Sequence, residues 1–239
     1  MIEIKNISFK YSGGPQVLSN VNLSIPAGHI YAILGESGSG KTTLLKCIGK
    51  FLRPHSGSIT LKGRNIYEIE EKEFRKSVSI VFQQLFLFPH LNVLQNMILA
   101  PMKVLGKSER TAREEAAAML ETLGIAYLKD SYPSAISGGQ AQRATIARSL
   151  MLKPEYLLLD EPTSALDVNT SDEFGKWLTS LKEYTTFVVV THDILFVNKI
   201  ASSGALMEKG SVREESDIRS IVKKHFPAYR HIMNGKEKI

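Results

Sequence analysis

Residues 30–42 read Ile30-Tyr31-Ala32-Ile33-Leu34-Gly35-Glu36-Ser37-Gly38-Ser39-Gly40-Lys41-Thr42. The first five are apolar without interruption, which suits a strand buried on both faces of a parallel sheet. The next eight satisfy G-x-x-x-x-G-K-[ST], and a helix-like stretch at 43–49 follows. Strand, glycine-rich loop and helix in that order make an anion site. Glycines at 35, 38 and 40 let the backbone wrap an anion, while N–H groups of the loop and first helical turn point at it with the helix dipole behind them. Lys41 supplies a point charge for β and γ phosphates, and Thr42 a hydroxyl for Mg²⁺. A chance Gly/Ser turn before Lys-Thr would not come framed by a strand and a helix, so nucleotide binding is the expected function. Glu36, a carboxylate beside a polyanion site, is expected to point outward.

Working outward, two further apolar runs, 156–159 and 187–190, recur between helical patterns, which predicts an α/β sheet. The first ends in Asp160-Glu161 at the strand edge where open α/β sheets bind ligands. Adjacent strand residues point oppositely, so Asp160 is the candidate to hold Mg²⁺ through water and Glu161 the general base for an attacking water. The second run delivers His192 to the same edge as a donor to the γ phosphate. Ser137-Gly138-Gly139-Gln140 is a capping box opening a helix expected from Gly138 to about Leu152, stopped by Pro154. Two glycines in that first turn cost ~1 kcal/mol each relative to alanine. Bare backbone there suits close approach to an anion.

The whole chain of 239 residues, 43% hydrophobic and 23% charged, excludes collagen-like, coiled-coil and disordered classes. The single Cys47 excludes a disulfide scaffold and fits a reducing compartment. Residues 85–106 approach the length of a membrane span, but His90, Asn92, Gln95, Asn96 and Lys103 interrupt them and Pro89 and Pro101 are expected to break them. The first ten residues alternate and lack an apolar leader segment, so the chain reads as intracellular. The net charge of +6 is scattered, with only a weak cluster at Lys223, Lys224, Arg230, Lys236 and Lys238, and nucleic acid is not implied. Ile2, Ile4, Ile7 and Phe9 predict a strand, and 17–25 a second after a turn. From Ser108, Ala112, Ala116, Met119, Leu120 and Leu123 recur at helical spacing, with Gly124 as the cap. Residues 86–152 are expected to form a helical subdomain inserted into an α/β core made of 1–85 and 153–239.

These motifs in this order closely resemble the nucleotide-binding subunits of ATP-binding cassette (ABC) transporters, over nearly the whole chain. The loop at 35–42 looks like Walker A, 157–161 like Walker B, and Ile136-Ser137-Gly138-Gly139-Gln140 is similar to the LSGGQ signature, with Ile for Leu. Ser164-Ala165-Leu166-Asp167 matches the D-loop, His192 the switch histidine, and Gln83 the Q-loop. Tyr11, 24 residues before Gly35, matches the aromatic residue that stacks on adenine. The resemblance implies a P-loop NTPase (RecA-like) α/β core with an N-terminal antiparallel β-subdomain and the inserted helical one. It implies ATP and Mg²⁺ as cofactors. Nucleotide contacts would come from Tyr11, Gly35, Glu36, Ser37, Gly38, Ser39, Gly40, Lys41, Thr42 and Thr43, and from Ser137, Gly138, Gly139, Gln140 and Asp167. Thr42, Gln83 and Asp160 would serve Mg²⁺, and Glu161, His192, Gln83 and Lys41 catalysis.

The resemblance further implies a head-to-tail dimer, each ATP sandwiched between Walker A of one copy and the signature of the other. Closing and reopening would drive integral membrane permease subunits, and indirectly a solute-binding protein, from the cytoplasmic face of the membrane. Residues 82–84, 87–94 and 99–104 look like importers of polar amino acids. Departures at Ser134-Ala135, Ala141 and Val168-Asn169 remove no catalytic group. An exporter of lipids, lipoproteins or drugs is the alternative, as is a soluble ABC ATPase acting on ribosomes or DNA, although such proteins usually carry two cassettes in one chain. Leu85, Phe86, Leu87, Phe88, Leu91 and Val93 either pack into the helical subdomain or line a groove for a short cytoplasmic helix of the permease.

Overall fold

A computed structural model describes residues 1–164 and 166–229; Ala165 of the expected D-loop and Arg230, Lys236 and Lys238 of the basic tail lie outside them. Alternation of Ile2, Ile4, Ile7 and Phe9 builds β1 (Ile2–Lys10), which pairs antiparallel with β2 (Gln16–Ile25). The buried β3 (Ile30–Leu34) leads through the glycine loop into α1 (Lys41–Ile48). Then β4 (Ser56–Leu61) pairs with the other edge of β1, and β5 (Arg64–Asn65) completes a sheet of order β2-β1-β4-β5. After α2 (Glu71–Ser77) and β6 (Val78–Val81) come three successive helices, α3 (Val93–Leu105), α4 (Glu109–Thr122) and α5 (Gly138–Leu150). The chain continues through β7 (Tyr156–Asp160), α6 (Val168–Ser180), β8 (Thr186–Thr191), α7 (Ile194–Ile200), β9 (Ser203–Glu208), β10 (Ser211–Asp217) and α8 (Ile218–His225).

The second sheet has the order β10-β9-β3-β8-β7-β6, parallel except for β10. Its central strands β3, β7 and β8 are buried without alternation because both their faces are covered, whereas the edge strand β10 is polar and part-exposed. Tyr31, Ile33, Tyr156, Leu158, Val188 and Val190 face one core, shared with the first sheet and α1. Ala32, Leu34, Leu157, Leu159, Phe187 and Val189 face the other, shared with helices α3 to α8. On that side Trp177 of α6 donates its indole N–H to the Leu123 carbonyl at 3.0 Å, and the Arg143 guanidinium of α5 lies 5.6 Å from its ring centroid.

Helix boundaries follow local chemistry. Asn92 and Gln95 exchange hydrogen bonds in a capping box that starts α3, Ser108 caps α4, and Gly124 follows that helix at φ 66°. One expectation is corrected: Pro101 does not break the 85–106 stretch but sits inside α3, which runs on to Leu105. An interior proline costs about 3 kcal/mol, and burial of Val93, Met97, Ile98 and Pro101 itself offsets it. Helix α5 stops at Leu150, two residues short of the expected end. Among the described residues no helix is long and apolar enough to cross a membrane.

Gly204 of β9 pairs with Ala32 of β3, and a Cβ there would drive into the Ala32 carbonyl oxygen and the Ile218 side chain. Gly204→Val should therefore cost about 2 kcal/mol by overpacking, lowering Tm by roughly 5 °C for a chain of this size. An unchanged melting temperature by calorimetry would mean the two strands are not packed this closely.

Candidate functional site

The site lies where the C-terminal ends of β3, β7 and β8 meet. In the register, Leu34 is opposite Thr191 and Asp160 opposite Val190, so the phosphate loop, the carboxylate pair and His192 leave the sheet side by side. Gly40 caps the start of α1 at φ 98°, and a Cβ there would press on the Val17 carbonyl oxygen and the Leu18 side chain, leaving no room for one. Lys41, 5% exposed, folds back beneath the loop and donates from Nζ to the carbonyls of Gly35 (2.8 Å) and Glu36 (2.9 Å). Burial lowers its pKa, against the opposing pull of Glu161 and Asp160. Glu36 is exposed but also lines the cleft, and its carbonyl rather than its carboxylate meets Lys41.

The two carboxylates do part ways. Asp160 Oδ1 accepts from Thr42 Oγ1 at 2.8 Å, and burial raises the Asp160 pKa despite that hydrogen bond. Glu161 adopts φ 46°, a left-handed turn that a non-glycine residue holds only at a cost, and so aims elsewhere. Its Oε2 accepts from Thr191 Oγ1 at 2.9 Å and lies 2.9 Å from His192 Nδ1, while Oε1 is 3.7 Å from Lys41 Nζ. Gln83 Nε2 donates to Ser164 Oγ at 3.3 Å. Glu36, Ser37, Gln83, Glu161, Ser164 and His192 line a cleft of 380 Å³. Tyr11 is exposed on the same side, with its hydroxyl 3.3 Å from Thr43 Oγ1.

Other expected residues stand apart. Ser137 and Gln140 are occupied with each other, Ser137 Oγ accepting from Gln140 N and Gln140 Oε1 from Ser137 N, and with Gly138 and Gly139 they lie outside that cleft. Asp167 is exposed and caps α6 by accepting from Thr170 N and Oγ1. Thr191 was missed by sequence reasoning, although it holds Glu161 and also accepts from Asp193 N. A hydroxyl at the end of an apolar strand, one residue before the histidine, was the available signal. The paired oxygens of Thr42 and Asp160 fit Mg²⁺, a hard cation that takes one or two protein carboxylates and completes its shell from phosphate and water, while Gln83 is held on Ser164. Among the described residues no cluster of three or more His, Cys, Asp or Glu could hold a metal unaided.

Residues 18–164 match the ABC transporter family. The chain is 42% identical over 226 residues to the glutamine transport ATP-binding protein GlnQ of Escherichia coli, covering 93% of this chain and 94% of the relative. It is 38% identical over 235 residues to the arginine/ornithine transport ATP-binding protein AotP of Pseudomonas aeruginosa, covering 92% of each. The dimeric structure of the bacterial ABC transporter cassette MJ0796 superposes with a TM-score of 0.80 at 33% identity, over 92% of this chain and 99% of that one. CbiO1 of Clostridium perfringens, part of the transporter complex cbiONQ, gives 0.84 at 29% identity over 98% of both chains.

Because Asp160 is held above the usual aspartate pKa, its ionised form destabilises the nucleotide-free fold; that cost is full above the raised pKa and gone below the ordinary aspartate value. Without nucleotide or Mg²⁺, Asp160→Asn should thus melt at or above the parent at neutral pH, with the gap closing as pH falls through the carboxylate range. A variant melting well below the parent at pH 7 would contradict that sign.

Proposed function

The chain belongs to the ABC transporter family, and from that premise we propose that it is the ATP-hydrolysing subunit of an importer of polar amino acids. The observation that carries the mechanism is the convergence of Lys41, Glu161 and His192 beside the Thr42–Asp160 hydrogen bond at one sheet edge. Loop N–H groups and Lys41 bind the β and γ phosphates, and Tyr11 offers a face to the base. Thr42 and Asp160, with Gln83, would hold Mg²⁺, which supplies positive charge to the phosphates when bound. Thr191 and His192 engage Glu161 Oε2, leaving Oε1 to orient a water and accept its proton. His192 steadies that carboxylate by donating from Nδ1, and only the doubly protonated ring has a second donor, at Nε2, for the γ phosphate.

Exposure of the Ser137–Gln140 motif and Asp167 away from the chain's own cleft supports completion of each site by a second, head-to-tail copy. The relatives that carry glutamine or arginine in their names support the solute class. On this reading residues 86–152 form a helical subdomain on a core of 1–85 and 153–239, and the subunit sits at the cytoplasmic face against permease subunits served by a solute-binding protein. A groove of 550 Å³ offers the docking place, with Phe51, Phe86, Phe88, Leu99 and Leu152 among its walls. Phe86 and Phe88 are exposed, whereas Leu85 and Leu87 pack against the core and Val93 is buried in it.

Two measurements test the proposal. Glu161→Gln should keep ATP affinity, hydrolyse about 10² to 10⁴ times more slowly as expected for loss of a general base, and accumulate as an ATP-dependent dimer on a sizing column; parental turnover would remove Glu161 from the mechanism. Phe86→Asp should leave hydrolysis by the isolated chain intact yet abolish its acceleration in the membrane complex. Normal acceleration would move the docking place elsewhere.

A further inference from the structure

The docking groove is bounded by the C-terminal end of α5 and by Phe51 just past the end of α1, and the N-termini of these two helices carry the phosphate-binding motifs. From Lys41, α1 runs toward Phe51 on one wall; from the Ser137 capping box, α5 runs to Arg148 and Ser149 on the other. Arg148 Nη1 donates to the Phe86 carbonyl at 2.9 Å, and its guanidinium lies 5.8 Å from the Phe88 ring centroid. Asn96 of α3 fixes the same loop from the other side, accepting from Phe88 N and donating to the carbonyls of Phe88 and Leu91. The loop after Gln83 is thus held by one side chain from α3 and by one from α5.

We propose that Arg148 is a positioning residue that links the docking groove to the Ser137–Gln140 motif. A partner helix pressing on Phe86 and Phe88 displaces the Arg148 end of α5, and α5 carries that displacement about 16 Å along its axis to Ser137. The helix is fit for this: it is unbroken, Ser137 and Gln140 lock its first turn, and Ala144, Ile146, Ala147 and Leu150 seat it in the core. The route differs from that through Gln83, which meets Ser164 in the chain's own cleft. Through α5 the same docking event addresses the nucleotide held by the second copy.

The inference rests on the groove being the docking place, so the experiment separates the two. The membrane complex is purified through a tag on this chain and held in nanodiscs, and ATP turnover per chain is compared with that of the isolated chain. Arg148→Met should assemble at parental stoichiometry with this ratio reduced about tenfold, the size of one lost charge-assisted hydrogen bond, and KM for ATP changed less than about twofold. Arg148→Lys should recover part of the ratio, because an ammonium can still donate to the Phe86 carbonyl. If Phe86→Asp abolishes the acceleration while Arg148→Met keeps it, the link through α5 is wrong and the groove stands. If Phe86→Asp keeps it, the groove assignment fails and the link falls with it. Loss of assembly or of thermal stability in both Arg148 variants would make the residue a structural brace and overturn the proposal.

Discussion

Parallel pairing of β3 with β8, and of β8 with β7, is the constraint on which the chemistry depends. It sets Leu34 against Thr191 and Asp160 against Val190, so a one-residue slip of β7 would turn Asp160 away from Thr42 and carry Glu161 out of reach of Thr191 and His192. Such a slip is opposed by the full burial of these strands on both faces, where Tyr156, Leu158, Val188 and Val190 serve one core and Leu157, Leu159, Phe187 and Val189 the other. The precision of the site is therefore a by-product of core packing that also stabilises the fold.

Electrostatics in the site work against the resting protein. Lys41 and Asp160 are both held from water, and burial moves each pKa toward the neutral form. Backbone carbonyls, a threonine hydroxyl and Glu161 compensate them in part. A bound polyphosphate with its cation would supply the opposite charges that both groups lack, so the unfavourable burial becomes binding energy for nucleotide. The left-handed backbone at Glu161 belongs with this, since strain at the residue that meets water is retained where the surrounding sheet over-determines it.

What was legible in the sequence was what depends on near neighbours. Strand, glycine loop and helix stand within 20 residues, the Ser137–Gln140 box spans one turn, and Asp160-Glu161 are adjacent, so spacing sufficed. What was not legible depends on distant pairing. Thr191 and Glu161 are 30 positions apart and Gln83 and Ser164 are 81, so no local pattern marks either hydrogen bond. Pro101 carries a breaker's signature, yet burial of its helix overrides it. The loop at 86–92 has no periodicity, so sequence could not tell Phe86 and Phe88, which face outward, from Leu85 and Leu87, which do not.

The hydrogen bond from Trp177 to Leu123 has a use beyond stability. This is the chain's single tryptophan, and its indole is held by a carbonyl just past α4 and covered by an arginine of α5 while its own backbone belongs to α6. Emission from one indole in such a setting is sensitive to whether the N–H keeps its acceptor and whether a cation stays over the ring. The molecule therefore carries an unlabelled optical gauge at the joint between α6 and the α4–α5 pair, and any turning of those helices during a nucleotide cycle can be followed in real time from its fluorescence.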